Sequence, residues 1–193
     1  IGLDGTIRPV RGIIGKILNA QKLGFKKFLI PEDNCDQARL IPGVRIQTAR
    51  SIRELVAGLN DQSSLVSIET GAGQLPNTGS FEQGGPTVSI DDVVGQHHAK
   101  RALVIAAAGH HNIMLSGPPG AGKSMLASTI TSIMPPLTLS EILETTHIHS
   151  LASRNYDQII NSRPVRTPHH SASSIAVIGG GQNPRPGEIS LSH

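Results

Sequence analysis

The sequence predicts an α/β fold, because short apolar runs that suit strands alternate with amphipathic stretches of helical period. A glycine-rich loop joins one apolar run, residues 112–116, to a helix start at residues 125–130. The core must be built from Ile, Leu, Val and Ala, since the 193 residues include three Phe, one Tyr and no Trp. We expect two α/β units, residues 1–60 and 89–193, joined by a flexible linker at 61–88.

The first unit is predicted to start with a turn at residues 3–6. Apolar residues at helical spacing then predict a helix from Gly12 to Leu23, which Gly24 ends. The elements expected next are a strand at 25–30, a helix at 32–41, a strand at 44–48 and a helix that runs from a Ser51–Glu54 capping box to about Leu59.

The second unit is predicted to begin with a helix at residues 96–108, ahead of the strand and the glycine-rich loop. Thr138 and Glu141 form a second capping box, which opens a helix to about Leu151. From Arg163 onward, the abundance of Pro, Gly, Ser and His predicts a structured insertion or hairpin. Residues 188–191 predict the beginning of another strand.

Residues 117–124 read Gly-Pro-Pro-Gly-Ala-Gly-Lys-Ser and complete the G-x-x-x-x-G-K-[ST] pattern of a phosphate-binding loop. The alternative is a Gly/Pro surface turn, and the strand–loop–helix context favours the phosphate loop. Glycines let backbone N–H groups approach phosphates, and we expect Lys123 to reach the β- and γ-phosphates and Ser124 to bind Mg²⁺. The expected nucleotide contacts are Gly117, Pro118, Pro119, Gly120, Ala121, Gly122, Lys123, Ser124 and Met125, with Lys123 as the catalytic residue.

Composition indicates the compartment and the classes of partner that suit the protein. Cys35 is its one cysteine, which excludes a disulfide within the chain and favours a reducing compartment; an inert thiol is favoured over a nucleophile. No apolar run approaches membrane-spanning length and no signal peptide opens the sequence, so we expect a cytoplasmic protein with no membrane partner. Ten of the seventeen Lys and Arg fall within residues 1–53, which suits either a nucleic-acid surface or, the favoured interpretation, a solvated face.

Four blocks of sequence, residues 91–103, 109–116, 163–173 and 179–193, flank or follow the loop. Together they resemble the magnesium-chelatase-like AAA+ ATPases of the YifB/ComM type, and the last two blocks are the specific ones. The resemblance implies a partial P-loop AAA+ domain of three-layer α/β/α architecture, with ATP and Mg²⁺ as cofactors. Its first block is similar to the segment that packs on adenine in AAA+ ATPases, which adds Val94 and Gly95 to the expected nucleotide contacts.

The segment Gly12–Pro31 is similar to the end of a Lon-protease-like, S5-type domain, so residues 1–60 are expected to be the C-terminal part of such a domain. Lys16 falls where Lon-type proteases carry their catalytic lysine, although an exposed helical lysine is the favoured interpretation. In this family a Walker B Asp-Glu pair follows the segment at 188–191, beyond His193. We therefore expect residues 1–193 to be a fragment that binds ATP and hydrolyses it poorly, within an intact protein that is an ATPase.

Nine histidines include three adjacent pairs, which raises the alternative of a zinc site. Adjacent residues on a helix or strand point apart, so a pair is poorly placed to bind one ion, and a metal site is disfavoured. His147 and His149 diverge in the same way on a predicted helix. The pairs are His97-His98, His110-His111 and His169-His170; the last matches a family motif in an insertion, where coupling of nucleotide state to a partner is a hypothesis.

The resemblance leaves three functions open. The first is an ATP-driven ring motor, a homo-oligomer expected to be a hexamer, that acts on DNA like competence and branch-migration proteins. The second is a motor subunit of a metal chelatase, against which the Lon-like unit argues. The third is a nucleotide-binding scaffold without enzymatic activity.

Overall fold

The computed structural model describes residues 1–60, 67–70, 88–153 and 158–192. They form a mixed α/β structure with two small sheets, which confirms the predicted class at that level. The strands are β1 (Lys27–Pro31), β2 (Arg45–Ala49), β3 (Ser67–Glu69), β4 (Gly179–Gly180) and β5 (Arg185–Pro186). The helices are α1 (Ile13–Lys22), α2 (Cys35–Arg39), α3 (Ile52–Asn60), α4 (His97–Gly109), α5 (Lys123–Ser128), α6 (Ile130–Ile133), α7 (Leu139–Ala152), α8 (Ser174–Ile178) and α9 (Glu188–Leu191), with 3₁₀ turns at Glu32–Asn34 and Ile90–Asp92. In these described ranges no helix is both long and apolar enough to span a bilayer.

The larger sheet has the order β1-β2-β3. β1 and β2 are parallel, with Lys27 opposite Arg45, and the crossover between them contains α2, as parallel strands require. β3 is antiparallel to β2 and lies inside the segment for which the sequence predicts a linker. The rest of that segment, 61–66 and 71–87, lies outside the described residues. Three residues are too short a run to show period-2 alternation, which is why β3 was missed.

The core of the N-terminal unit is aliphatic, as the composition predicts. Ile13, Ile14 and Ile17 form the buried face of α1 and pack against the sheet. The remaining buried members of the cluster come from β1, α2, β2 and the connection between α2 and β2, and they are Ile30, Ala38, Ile41, Val44 and Ile46. Apolar residues that recur every three to four positions form one face of α1, and this face packs on the sheet, as the sequence predicts.

The predicted capping box at the start of α7 is confirmed. The Thr138 hydroxyl accepts from the Glu141 N–H at 3.4 Å, and the Glu141 carboxylate accepts from the Thr138 N–H at 2.7 Å. Hydrogen bonds from the Thr138 N–H and hydroxyl, together with Arg163, lower the pKa of Glu141 to about 2. The Glu141 carboxylate of the capping box therefore stays ionised well into the acid range.

α7 also contacts the N-terminal unit, so the two predicted units share apolar contacts. Leu143 packs against the aliphatic core described above, and Ile142 and Ile159 form a second buried cluster with Leu40. The side-chain amide of Gln37, which is buried, donates to the backbone oxygen of Gln158 at 2.9 Å. Burial of these side chains stabilises the contact between the units.

One close contact in this interface depends on a glycine. The imidazole of His147 on α7 lies against Gly15 on α1, where a Cβ would come within 2.7 Å of His147 Nε2 and closer still to Cε1. Burial lowers the pKa of His147, and the charge of Lys16 on α1 lowers it further. A side chain at position 15 would therefore have to displace the ring.

Two predicted strands are wrong. Residues 112–116 do not pair with any strand of the described residues, although Ile113 and Leu115 still pack on a buried cluster while Asn112, Met114 and Ser116 are exposed. A strand requires a partner for its N–H and C=O groups, and periodicity alone does not supply one. Residues 188–191 form the single turn α9, in which the Leu191 N–H donates to the Gly187 oxygen at 3.0 Å.

Candidate nucleotide-binding site

The loop Gly117–Ser124 lies between the extended segment 112–116 and α5. α5 is anchored by Leu126, which is buried in a cluster with Val93 and Leu103. Ile113 and Leu115 pack against the same cluster from the other side of the loop. The apolar residues that flank the loop therefore fix both of its ends, while the loop residues lie at the surface.

The backbone of the loop uses conformations that suit glycine. Gly120 and Gly122 have φ of +78° and +77°, in the left-handed region where other residues are strained. Gly122 is the residue before α5, whose ladder begins with the Leu126 N–H donating to the Gly122 oxygen at 2.9 Å. The first N–H groups of a helix have no acceptor within the helix, so those of Lys123 to Met125 face the loop side.

The side chain of Lys123 turns back over the loop. Its ammonium donates to the backbone oxygens of Gly117 at 2.9 Å and of Pro118 at 2.6 Å. These two hydrogen bonds close the loop around one positive charge at the beginning of α5. A cation held by backbone oxygens, beside N–H groups at a helix start, is an arrangement that suits an anion with several oxygens.

The second predicted contact segment meets the loop through the core. Val93 is buried in the cluster that holds Leu126, whereas Val94 is exposed at the surface. Gly95 follows with φ of +71°, just before α4. Val93 therefore joins the cluster that supports the loop, whereas the neighbouring Val94 and Gly95 are not members of it.

Sequence reasoning missed an ion pair in the block that follows α7. The guanidinium of Arg166 donates twice to the carboxylate of Glu188, at 2.6 and 2.7 Å. The pair lowers the pKa of Glu188 and raises that of Arg166, chiefly through these hydrogen bonds. The sequence indicated this ion pair only in that Arg166 and Glu188 both lie in the family-specific blocks. It ties the segment after residue 163 to α9.

The other candidate residues lie apart from the loop. Lys16 is exposed and donates to the Arg11 oxygen at 3.0 Å. Cys35 is buried, and burial raises its pKa, which keeps it a thiol at neutral pH. His169 and His170 are exposed, and the Ser171 N–H donates to His169 Nδ1 at 3.3 Å. Among the residues with described positions, His, Cys, Asp and Glu form no group of three or more that could hold a metal ion.

A cavity of about 440 Å³ lies away from the loop, between α6, residues 134–137, the last turn of α7 and residues 160–166. Met134, Pro135 and Val165 line it together with Arg163 and Arg166. Both guanidiniums are already bound, Arg163 by Glu141 and Arg166 by Glu188. The cavity therefore has no uncommitted arginine for an anion, and the loop remains the better nucleotide site.

Comparison with known proteins places the chain in a family. The family model described as magnesium chelatase, subunit ChlI, matches residues 89–193. Over its whole length the chain is 41% identical to the competence protein ComM of Haemophilus influenzae and 39% identical to the protein YifB of Escherichia coli K12.

The chain spans about 37% of the length of each of these two relatives. A stretch of 58 residues, 30% of the chain, is 45% identical to 9% of the archaeal Lon protease of Archaeoglobus fulgidus. This local similarity supports the Lon-like resemblance of part of the chain. The chain therefore belongs to the magnesium chelatase subunit ChlI family, as a protein of the YifB/ComM type.

Proposed function

We propose that this chain is the ATP-binding part of an AAA+ motor, and that the longer protein hydrolyses ATP as a ring that acts on DNA. The observation that carries the proposal is the complete G-x-x-x-x-G-K-[ST] loop, held between two segments anchored in one buried cluster. Residues 89–193 are then the first part of the AAA+ domain, and residues 1–60 the last part of a Lon-like, S5-type domain, joined at 61–88.

The residues of the loop fit a nucleotide triphosphate with Mg²⁺. The two hydrogen bonds of the Lys123 ammonium to described residues are to neutral backbone oxygens, and a phosphate oxygen is a stronger acceptor for it than a carbonyl. The Ser124 hydroxyl is exposed at the start of α5, where it would bind the metal. ATP supplies the phosphoanhydride whose cleavage drives the motor; Lys123 holds the phosphates and stabilises charge on them.

The exposed backbone at the loop has the complementary role. N–H groups from Gly120 to Ser124 would donate to the phosphates, while Pro118 and Pro119 limit the conformations of the loop. Val94 and Gly95 would contact adenine, since Val94 presents an exposed apolar side chain beside a glycine. All these residues are carried by elements that meet at the Leu126 cluster.

Action on DNA rests on family membership and on charge. One of the relatives carries the name competence protein, and residues 1–53 hold ten of the seventeen Lys and Arg. A basic surface attracts phosphate backbones without reading sequence. A motor subunit of a metal chelatase is the second candidate, since the family description names magnesium chelatase, and DNA stimulation separates the two.

The test is ATP turnover by the longer protein with and without single-stranded DNA, for wild type, Lys123→Ala and Arg53→Ala. Arg53 is an exposed cation on α3 and serves as the matched control. We expect Lys123→Ala to lower turnover and ATP affinity by about tenfold or more, the scale of a lost hydrogen bond to a charged group. Arg53→Ala should leave ATP affinity and turnover without DNA unchanged, since Arg53 lies outside the loop. Wild-type turnover that Lys123→Ala leaves intact contradicts the proposed site; turnover that ignores DNA shifts the substrate to the chelatase class.

A further inference from the structure

The turn between α1 and β1 presents large apolar side chains to solvent. Residues 22–27 are all exposed, and Leu23 and Phe25 are 79% and 61% exposed. Burial of an exposed aromatic side chain and a leucine against a partner would be favourable. We refer to residues 22–27 as the α1–β1 tip.

The backbone of the α1–β1 tip is fixed. The Phe25 N–H donates to the Ala20 oxygen at 3.1 Å and the Gly24 N–H to the Gln21 oxygen at 2.9 Å, which is the Schellman pattern of helix ends. Gly24 has φ of +94°, as the position requires. The tip therefore displays Leu23 and Phe25 without the ordering cost that a mobile loop would carry on binding.

Cations surround these two side chains. Lys22 precedes Leu23, Lys26 and Lys27 follow Phe25, and the parallel pairing of the strands puts Arg45 directly opposite Lys27. Arg45 is bound to Glu69. In contrast, none of the three lysines has an ion-pair partner among the residues that the structure describes. The edge of the sheet at the tip therefore carries a surplus of positive charge.

We infer that the α1–β1 tip binds single-stranded nucleic acid, with Phe25 stacking on a base and Lys22, Lys26 and Lys27 neutralising phosphates. An exposed aromatic side chain among cations is the combination that single strands require, because every base offers a stacking face and every linkage a negative charge. An anionic bilayer also combines negative charge with an apolar phase. Stable attachment to a bilayer needs a broad apolar face, whereas the tip offers two apolar side chains. The inference rests on the DNA-acting part of the proposed function and locates its contact surface.

The experiment measures binding of a labelled oligo(dT) by fluorescence anisotropy over a range of salt, using the longer protein without nucleotide. Phe25→Ala is expected to weaken binding by about 5- to 150-fold, the cost of one lost base stack. Lys22→Ala/Lys26→Ala/Lys27→Ala is expected to make the slope of log K against log salt less negative by about 2, since each phosphate contact to a single strand contributes about 0.7. Arg53→Ala, on α3 and outside the α1–β1 tip, is the control for the loss of one cation.

The outcomes separate this inference from the proposed function. Wild-type binding that the Phe25 and lysine variants leave unchanged overturns the tip as the contact surface and leaves action on DNA in place. A wild type that does not bind oligo(dT) overturns both. A parallel assay measures binding of the same proteins to anionic phosphatidylserine vesicles. If the variants lose vesicle binding but keep their DNA affinity, the inference is overturned in favour of a membrane surface. ATP turnover of every variant without DNA shows that each one is folded.

Discussion

Replacing Gly15 by Ala tests the contact between α1 and α7. The added methyl group would come within 2.7 Å of His147 Nε2, with Cε1 closer still and Nδ1 at 3.1 Å, so the ring must leave its place against α1. Overpacking of this kind costs about 1–3 kcal/mol. Alanine in a helix is worth about 1 kcal/mol over glycine, which offsets part of that cost. We therefore expect a net loss of about 1 kcal/mol in the free energy of unfolding.

The assay is urea unfolding of wild type, Gly15→Ala, His147→Ala and the double variant. Without the imidazole there is no clash, so Gly15→Ala should stabilise the His147→Ala protein by about 0.5–1 kcal/mol. The sign of the alanine effect thus reverses between the two backgrounds, with a coupling of about 2 kcal/mol. A stabilisation of equal size in both backgrounds would refute the contact.

Two further predictions concern α7. Burial and Lys16 lower the pKa of His147 from its ordinary 6.5. As the pH drops, His147 is therefore protonated in the unfolded chain before it is protonated in the folded one. The free energy of unfolding should fall as the pH drops through 6.5. Urea midpoints between pH 8 and 5 measure this slope, and a slope of equal size in His147→Gln would contradict it. Thr138→Ala removes the cap of α7 and should cost about 1 kcal/mol, while Thr138→Ser keeps the hydroxyl and should stay near wild type. Hydrogen exchange in the first turn of α7 checks the cap, and equal protection in both variants would argue against it.

Elements specified by nearby residues could be predicted from the sequence. α1 follows from its apolar spacing, with the Gly24 end confirmed by two Schellman hydrogen bonds. α7 follows from the Thr138–Glu141 box and begins at the predicted residue. In both cases the determining interactions lie within five residues of one another, so the local pattern contains the information.

Elements that depend on distant partners could not be predicted. Residues 112–116 have the alternation of a strand, but pairing is decided by another segment. β3 depends on its antiparallel pairing with β2, beside which Val44 and Thr70 exchange hydrogen bonds across 26 residues. At α9, the Glu188–Arg166 ion pair spans 22 residues of sequence. Each of these contacts joins residues that no local window includes.

The same contrast between local and distant interactions holds for the residues that the sequence raised as candidates for a functional site. The loop could be predicted from a contiguous motif, whereas the contact of His147 with Gly15, which lies outside the candidate site, could not. The sequence raises His147 only as a metal ligand, and the structure places it against Gly15 instead. Gly12, the residue before α1, and Gly15 in its first turn were the available signal, since small residues allow a neighbouring helix to approach closely.

The contact between Gln37 and Gln158 has a consequence for synthesis of the protein on the ribosome. The two residues are 121 positions apart, so at translation rates of about 5–20 residues per second the first waits about 6–24 s for the second. During that interval Leu40 lacks the two buried side chains of its cluster, Ile142 and Ile159. We expect the nascent N-terminal unit to be a chaperone client for that interval, and protease sensitivity of chains stalled before residue 139 measures it.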